Sequence, residues 1–345
     1  MHNEMHCLHD MDIRHEAIMS EIVGPESRIF VAGHNGLVGS AIVRELVNLG
    51  YRLPITRNHN ELDLTNDSAT QTFFGDKRPE IVILAAAVVG GINANNVKPV
   101  RFIADNLAIQ TNVIRAAFNV GVKRLLFLGS SCIYPRNCPQ PIKEKYLLSG
   151  PLEMTNRPYA VAKIAGVEMC WAFNREYDTK YFAVMPTNLF GPNDSFHAQY
   201  SHVLSALTKK ILDAKLSGTA AVKLWGTGAP LREFLSSDDL ARACLRLLSS
   251  SDADLDWLFD SLRPPLVNVG SGYEVSISDL AELVASEVGY SGDILWDATM
   301  PDGTFQKLLD SSKIRSLGWR PEVSLKEGIA LVCQEYARTL TQRDG

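Results

Sequence analysis

The chain has 345 residues, 46% hydrophobic and 21% charged, with a formal net charge of −5. That is globular composition with enough apolar mass for one large or two modest domains, and it lacks the basic surplus that phosphate backbones require, which excludes nucleic acid as a partner. Six cysteines (Cys7, Cys132, Cys138, Cys170, Cys244, Cys333) fall without C-x-x-C spacing, so neither zinc ligands nor a disulfide framework is indicated and a reducing, cytoplasmic setting fits. Residues 1–27 carry four of the eight histidines among scattered acids and no apolar signal run; they read as a disordered tail, with no metal expected at His2, His6, Cys7 and His9. No later stretch has the length of a membrane span.

From Arg28 onward, short β-rich runs alternate with helical patterns, as in a parallel sheet wrapped by helices. The strands read as "RIFVA", "YRLPIT", "EIVILAA", "RLLFLGS" and "YFAVMP". Pro54 belongs near the end of its strand, because an interior strand cannot spare a ladder donor. Helical spacing runs from Leu37 to Leu49 and closes at Gly50, then from Val100 to Val120 and closes at Gly121. A third helix, Pro158 to Tyr177, opens on a proline in its first turn. After Gly191, "GPNDSFHAQYSH" and "LWGTGAPLREF" announce a second, smaller lobe. "SSDDLARACLRLL" reads as a capped helix returning to the sheet, and "LVNVGSGYEVSISDLAELVASEVG" as a strand and capped helix of the outer lobe. The expected division is a sheet domain over 28–190 and about 234–265, and a discontinuous substrate domain over about 191–233 and 266–345.

In "RIFVAGHNGLVGSAIVREL", Gly33, Gly36 and Gly39 lie between a strand and a helix. Glycines there let the backbone turn sharply, approach a pyrophosphate and pack helix on strand, while the helix N-terminus offers free N–H groups. The whole loop, with His34, Asn35, Leu37 and Val38, is the candidate dinucleotide cradle; a merely structural turn is the alternative. The fold class is therefore α/β, a Rossmann-type doubly wound parallel sheet with a smaller, discontinuous α/β substrate-binding lobe. After the second strand, "TRNHN" places Arg57 and His59 where a 2′-phosphate would favour cations and an acid would favour NAD, although solvated surface charge reads the same way. Asp63 and Leu64 fall where a loop meets an adenine, with N-capping near Thr65 or Asn66 as the alternative. Ala85, Ala86 and Ala87 leave room for a flat cofactor across the strand ends; a tight sheet also uses small residues.

Tyr159 and Lys163 in "PYAVAK" are four apart and share one helical face. An ammonium beside a phenol stabilises phenolate and lowers the tyrosine pKa, which suits proton exchange with a carbonyl oxygen during hydride transfer. Ser130, at a strand end between the glycine loop and this pair, completes a reductase-like set.

Together these residues resemble the extended short-chain dehydrogenases, and the likeness sharpens along "LGSSCIYP", "PYAVAKIAG", "MPTNLFGP", "SHVLSAL", "KLWGTG", "LREF" and "PDGTFQKLLD". It covers nearly everything from Arg28 onward. Within that family it points to the NADPH-dependent enzymes that epimerise GDP-4-keto-6-deoxy-D-mannose at C3 and C5 and reduce C4, giving GDP-L-fucose. The resemblance implies Ser130, Tyr159 and Lys163 as the reductase set, with Tyr159 the general acid, and Cys132 and His202 as the acid/base pair for epimerisation. It places the cofactor, NADP(H), against Leu128, Gly129, Ser130, Ser131, Tyr159 and Lys163, and against Pro186, Thr187, Asn188, Leu189 and His202. It assigns substrate contacts to Ser130, Cys132, Asn188, Lys210, Trp225, Arg232, Asp302 and Lys307, and implies a homodimer through the two long helices. Read from the residues alone, a strand-end cysteine is more often packed and a histidine before an apolar helix is often a capping group. Some family members carry Arg in place of Asn35 and His59, and Arg is frequent at Lys210, where Lys keeps the charge but loses the planar fork. A 4-epimerase would not need Cys132 with His202, a 4,6-dehydratase would want an acid pair where "CIYP" stands, and a non-catalytic cofactor sensor has no use for a proton donor.

Overall fold

The computed structural model describes residues 23–196, 202–300 and 302–341. Short apolar runs form β1 (Ile29–Ala32), β2 (Ile81–Leu84), β3 (Arg124–Leu128), β4 (Lys180–Pro186) and β8 (Leu266–Val269). They pair in that spatial order, all parallel. Nearly every residue in them is buried, as a sheet covered on both faces requires. Helices α1 (Leu37–Asn48) and α7 (Ser237–Ser249) pack on one face around Ile42, Leu46, Leu240 and Leu247. The other face is covered by α2 (Asp67–Lys77), α4 (Pro99–Asn119) and α5 (Arg157–Tyr177), with the six-residue α3 (Ile92–Val97) leading into α4.

The strand expected at "YRLPIT" contracts to a single bridge between Ile55 and Phe30. Ile55 donates to Ile29 O (2.7 Å) and its carbonyl accepts from Val31 (3.0 Å), but Pro54 beside it has no N–H to extend the ladder. The bridge still matters for the site. Ile55 pairs with β1, whose other partner is β2, so the chain reverses direction around β1 and opens a crevice at that strand's C-terminal end.

The outer lobe uses a three-stranded sheet of β5 (Asn188–Phe190), β7 (Leu231–Ser236) and β9 (Glu274–Ser276), and a parallel pair, β6 (Ala221–Trp225) with β10 (Asp293–Asp297). Around them α6 (Val203–Leu216), α8 (Ile277–Val288) and α10 (Leu325–Thr341) enclose a separate core containing Phe190, Leu204, Ile211, Leu280 and Tyr336. The short α9 (Ser312–Ser316) contributes Ile314 to the core of the main sheet. Ser236 and Ser276 cap α7 and α8, accepting from Asp238 N (3.2 Å) and Asp279 N (3.0 Å).

Two boundaries move. β8 is the last strand of the main sheet, paired with β4 through Val184 and Val267, so placing residues 266–269 in the outer lobe was wrong. The run "LVNV" is apolar with one buried Asn, which suits a doubly covered strand as well as an outer one. At the other end, Val23 is buried in the sheet core and Pro25 O accepts from Arg52 N (2.7 Å), so the packed chain begins before Arg28. His2, His6, Cys7 and His9 lie outside the described residues.

Candidate active site

At the C-terminal end of β1, Gly33 adopts φ +86°, in the left-handed region that side chains disfavour. A Cβ there would meet Ala86 N at 2.6 Å, and one at Gly39 would meet Gly33 O at 2.1 Å. The loop therefore lies directly on the end of β2, and α1 lies directly on the loop. Gly36, the N-cap of α1, supplies no side-chain cap, so the first-turn N–H groups and the positive end of the helix dipole face the crevice. Beside them His34 Nδ1 is buried without a hydrogen-bond partner. An uncapped helix start, a close-approach glycine and an orphaned ring nitrogen fit a dinucleotide pyrophosphate.

Nearby, the Arg57 guanidinium rests 5.7 Å from the Phe73 ring centroid and donates to Thr56 O (2.6 Å). The His59 ring is 80% exposed, 3.9 Å from Asp63. Asp63 accepts from Thr65 N (2.9 Å) and Oγ1 (2.7 Å), which hold its carboxyl below the ordinary range. Leu64 is buried in the core and Asn66 caps α2, so this segment also serves its own turn. Ala85, Ala86 and Ala87 follow β2, half-buried.

At the end of β3, Ser130 caps a single 3₁₀ turn, Ser131–Ile133, its Oγ accepting from Cys132 N (3.3 Å). The same hydroxyl lies near enough to the Tyr159 phenol and the Cys132 thiol to favour the ionised form of each. One turn along α5 from Tyr159, Lys163 Nζ donates to Leu128 O (2.7 Å) and stands 4.6 Å from the Phe127 ring centroid and 5.7 Å from that of Tyr159. Burial brings the Lys163 pKa down to about 8, against a smaller opposing pull from Cys132. The tyrosine corrects the sequence reading. Burial, reinforced by Cys132, pushes the phenol up rather than down, and the nearby Ser130 hydroxyl offsets this only in part. Desolvation of the phenolate outweighs a lysine whose ammonium is itself bonded to a carbonyl.

Burial raises the Cys132 thiol as well, while Lys307, the nearby Ser130 hydroxyl and Lys163 pull it back. His202 sits at the N-cap of α6, with Nδ1 3.2 Å from Asp194 Oδ1. Burial alone would lower the imidazole pKa, but the hydrogen bond and charge of Asp194 outweigh it and leave it above the ordinary histidine value. Asp194 also accepts from Ser195 N (2.8 Å) and Ser205 Oγ. The sequence reading missed Asp194, because "GPND" reads as a turn and only its place eight residues before His202 hinted otherwise.

The remaining candidates form three groups. Asn188 Nδ2 (2.8 Å) and Thr187 Oγ1 (3.1 Å) both donate to Glu233 O. The buried Glu233 carboxylate accepts from Gly272 N (2.6 Å) and Leu309 N (3.1 Å), drawing the segment that carries Lys307 toward β7. Lys210 stands 5.1 Å over the Trp225 ring, which is 61% exposed. Arg232, lowered by burial, is raised in turn by the charges of Asp302 and Glu274; Asp302 accepts from Thr227 N (2.9 Å) and Oγ1 (2.7 Å). Lys307 is lowered by burial, with Cys132 its strongest favourable partner. Thus Lys307 joins the Cys132 group and feels the charge of Arg232, which with Asp302 borders the same segment, while Lys210 lies over Trp225.

A family profile described as the NAD dependent epimerase/dehydratase family matches residues 29–270. The chain is similar to a putative GDP-L-fucose synthase 2 of Arabidopsis thaliana, 53% identical over 92% of this chain and 94% of that protein. It is also similar to the GDP-L-fucose synthase of Escherichia coli K12, 46% identical over 90% of this chain and 97% of that protein. In structure it resembles a GDP-L-fucose synthetase of Naegleria fowleri bound to NADP, with a TM-score of 0.81, 25% identity and coverage of 92% of this chain and 96% of that one. With the profile spanning most of the sheet domain and relatives of this identity matching nearly end to end, the chain belongs to the NAD dependent epimerase/dehydratase family.

Proposed function

We infer that this chain converts GDP-4-keto-6-deoxy-D-mannose to GDP-L-fucose, epimerising C3 and C5 and then reducing the 4-keto group with NADPH. The observation that carries the reading is the turn at the end of β3, where Ser130 Oγ accepts from Cys132 N (3.3 Å) and its hydroxyl acts on both the Cys132 thiol and the Tyr159 phenol, so that proton chemistry beside the carbonyl and proton chemistry on it share one site. Similarity to the GDP-L-fucose synthases supports the substrate, and the NADP-bound relative supports the cofactor.

The 4-keto group acidifies the hydrogens on both neighbouring carbons. Cys132 is the base in this reading, its thiolate favoured by Lys307 and Lys163, and His202 is the acid, kept protonated by Asp194. Tyr159, held neutral by burial, donates to the C4 oxygen. Lys163 then stabilises the resulting phenolate, and Ser130 holds the carbonyl oxygen. When bound, NADPH supplies the hydride to C4. Gly33 to Gly39 would hold its pyrophosphate, and Arg57 its 2′-phosphate. Arg232 and Lys210 suit the substrate diphosphate, and the exposed face of Trp225 suits its base.

The outer lobe is the substrate domain in this reading, and a homodimer forms through α4 and α5. In support of the dimer, the tilted rings of Phe118 and Tyr177 lie with centroids 4.4 Å apart beside a surface cavity of about 300 Å³ between those helices, and Tyr177 is 49% exposed. Cys132, Cys138, Cys170, Cys244 and Cys333 are all free thiols, in keeping with a cytoplasmic setting. No helix among the described residues is long and apolar enough to cross a membrane.

The test offers the purified protein GDP-4-keto-6-deoxy-D-mannose with NADPH and then with NADH, following nicotinamide absorbance and identifying the sugar. Formation of GDP-L-fucose, faster with NADPH, is the expected result. A product reduced at C4 but unchanged at C3 and C5 would make the chain a simple reductase.

A further inference from the structure

Two epimerisations by one thiol and one imidazole create a requirement that the pair alone does not meet. In the chair form of the D-manno sugar, the hydrogens on C3 and C5 are axial on the same face, so one base removes both and one acid replaces both from the opposite side. After the first carbon, its C–H bond has broken and an S–H bond has formed on Cys132. The electron pair has passed through the enolate to a new C–H bond, and His202 has become neutral. Before the second carbon, Cys132 has to lose a proton and His202 has to gain one. The His202 ring is 42% exposed and recharges from solvent. Cys132 is 7% exposed and needs a route.

A cavity of about 30 Å³ lies against Cys132, above the roughly 10–15 Å³ that one water needs. Glu153, Asn156 and Lys307 line it, with Arg136 at its outer end. Glu153 Oε2 and Asn156 Oδ1 are buried there without a hydrogen-bond partner. Glu153 Oε2 does form an ion pair with Arg136 Nε at 3.1 Å, out of line for a hydrogen bond, and the Arg136 side chain is 53% exposed. Lys307 feels the charges of both Cys132 and Glu153. Asn156 Oδ1 without a donor and Glu153 Oε2 with an ion pair but no hydrogen bond, in a space large enough for a water and beside a buried thiol, make a polar water site.

We propose that Glu153, through a water held in this cavity, carries the Cys132 proton to solvent between the two epimerisations. The thiol gives its proton to the water, the water gives one to the Glu153 carboxylate, and the carboxyl releases it past Arg136. At the same time His202 takes one proton from bulk solvent, so the pair is reset with no net change. Glu153 touches neither the hexose nor the cofactor in this scheme; it acts through Cys132.

The proposal rests on the function inferred above, and its test separates the two. The full-length protein, loaded with NADP⁺ so that no reduction follows, is mixed with GDP-4-keto-6-deoxy-D-mannose in deuterated water and quenched at short times. Deuterium is then read at C3 and C5. The unaltered protein labels both carbons without a burst. Glu153→Gln gives a burst of about one deuterium per site at the unaltered rate, then turnover at least about tenfold slower, with KM unchanged. It also reduces the already epimerised ketosugar normally with NADPH, which shows an intact fold. Steady exchange at the unaltered rate overturns the relay. So does a raised KM without a burst, which would make the cavity a sugar contact, or joint loss of exchange and reduction, which would make Glu153 structural. If the unaltered protein labels neither carbon, the inferred function itself fails.

Discussion

The two walls of the site hold their proton-transfer groups by different means. Ser130, Cys132, Tyr159 and Lys163 hang from the end of β3 and from α5, where Ala160, Ala162 and Ile164 are core residues. His202 stands at the start of α6 in the outer lobe, and its charge depends on a single carboxylate, Asp194. The loop bearing Asp194 is in turn tied to α10, where Asn193 N donates to Glu335 (2.8 Å) and Phe196 packs 4.8 Å from Tyr336. In the proposed reading the reductive donor, Tyr159, is therefore governed by desolvation, which keeps a phenol protonated, and the epimerising acid, His202, by one partly exposed ion pair. Burial is a property of the whole wall and resists tuning, whereas an ion pair changes with one substitution.

Tyr159→Phe should break this comparison most severely. Reduction of the epimerised ketosugar should fall by about 10²–10⁴-fold, the usual worth of a positioned proton donor, while deuterium exchange at C3 and C5 changes little. Equal losses in both assays would mean that the walls do not act separately.

A smaller effect is expected from Asp194→Asn, of about tenfold in exchange near neutral pH. Its sign follows from the raised His202 pKa. If His202 is the proposed acid, its imidazolium is present below that value and is lost as pH rises through it, so removing Asp194 moves the alkaline fall in exchange to lower pH. The same pair stabilises the fold fully below the ordinary histidine pKa and loses that contribution as pH rises through the raised one. Reduction by the variant should keep its pH profile. A profile of exchange that does not move would remove Asp194 from this role.

The buried wall was the more legible in sequence, because its geometry is local. Gly33 to Gly39 span one strand-to-helix turn, and Tyr159 and Lys163 are one helical turn apart, so periodicity alone places each set. What periodicity does not convey is desolvation, which is why the direction of the Tyr159 shift was misread. The half-exposed wall depends on contacts across a folded lobe. Asp194 pairs with His202 eight residues further on, a separation that neither a helical nor a strand period marks, and Glu153 shares only a cavity with Cys132. The strand at Ile55 and the sheet membership of β8 were obscured for a related reason. Pro54 removes a donor from an apolar run, and a short apolar strand carries no mark of which sheet it joins.

Cys132→Ser bears most directly on a shared site with separable chemistry. A serine hydroxyl in the same buried turn is a far weaker base, so deuterium entry at C3 and C5 should fall by at least about 10²-fold while NADPH still reduces ketosugar that has already been epimerised. Exchange at an undiminished rate in this variant would contradict the assignment of Cys132 as the epimerising base.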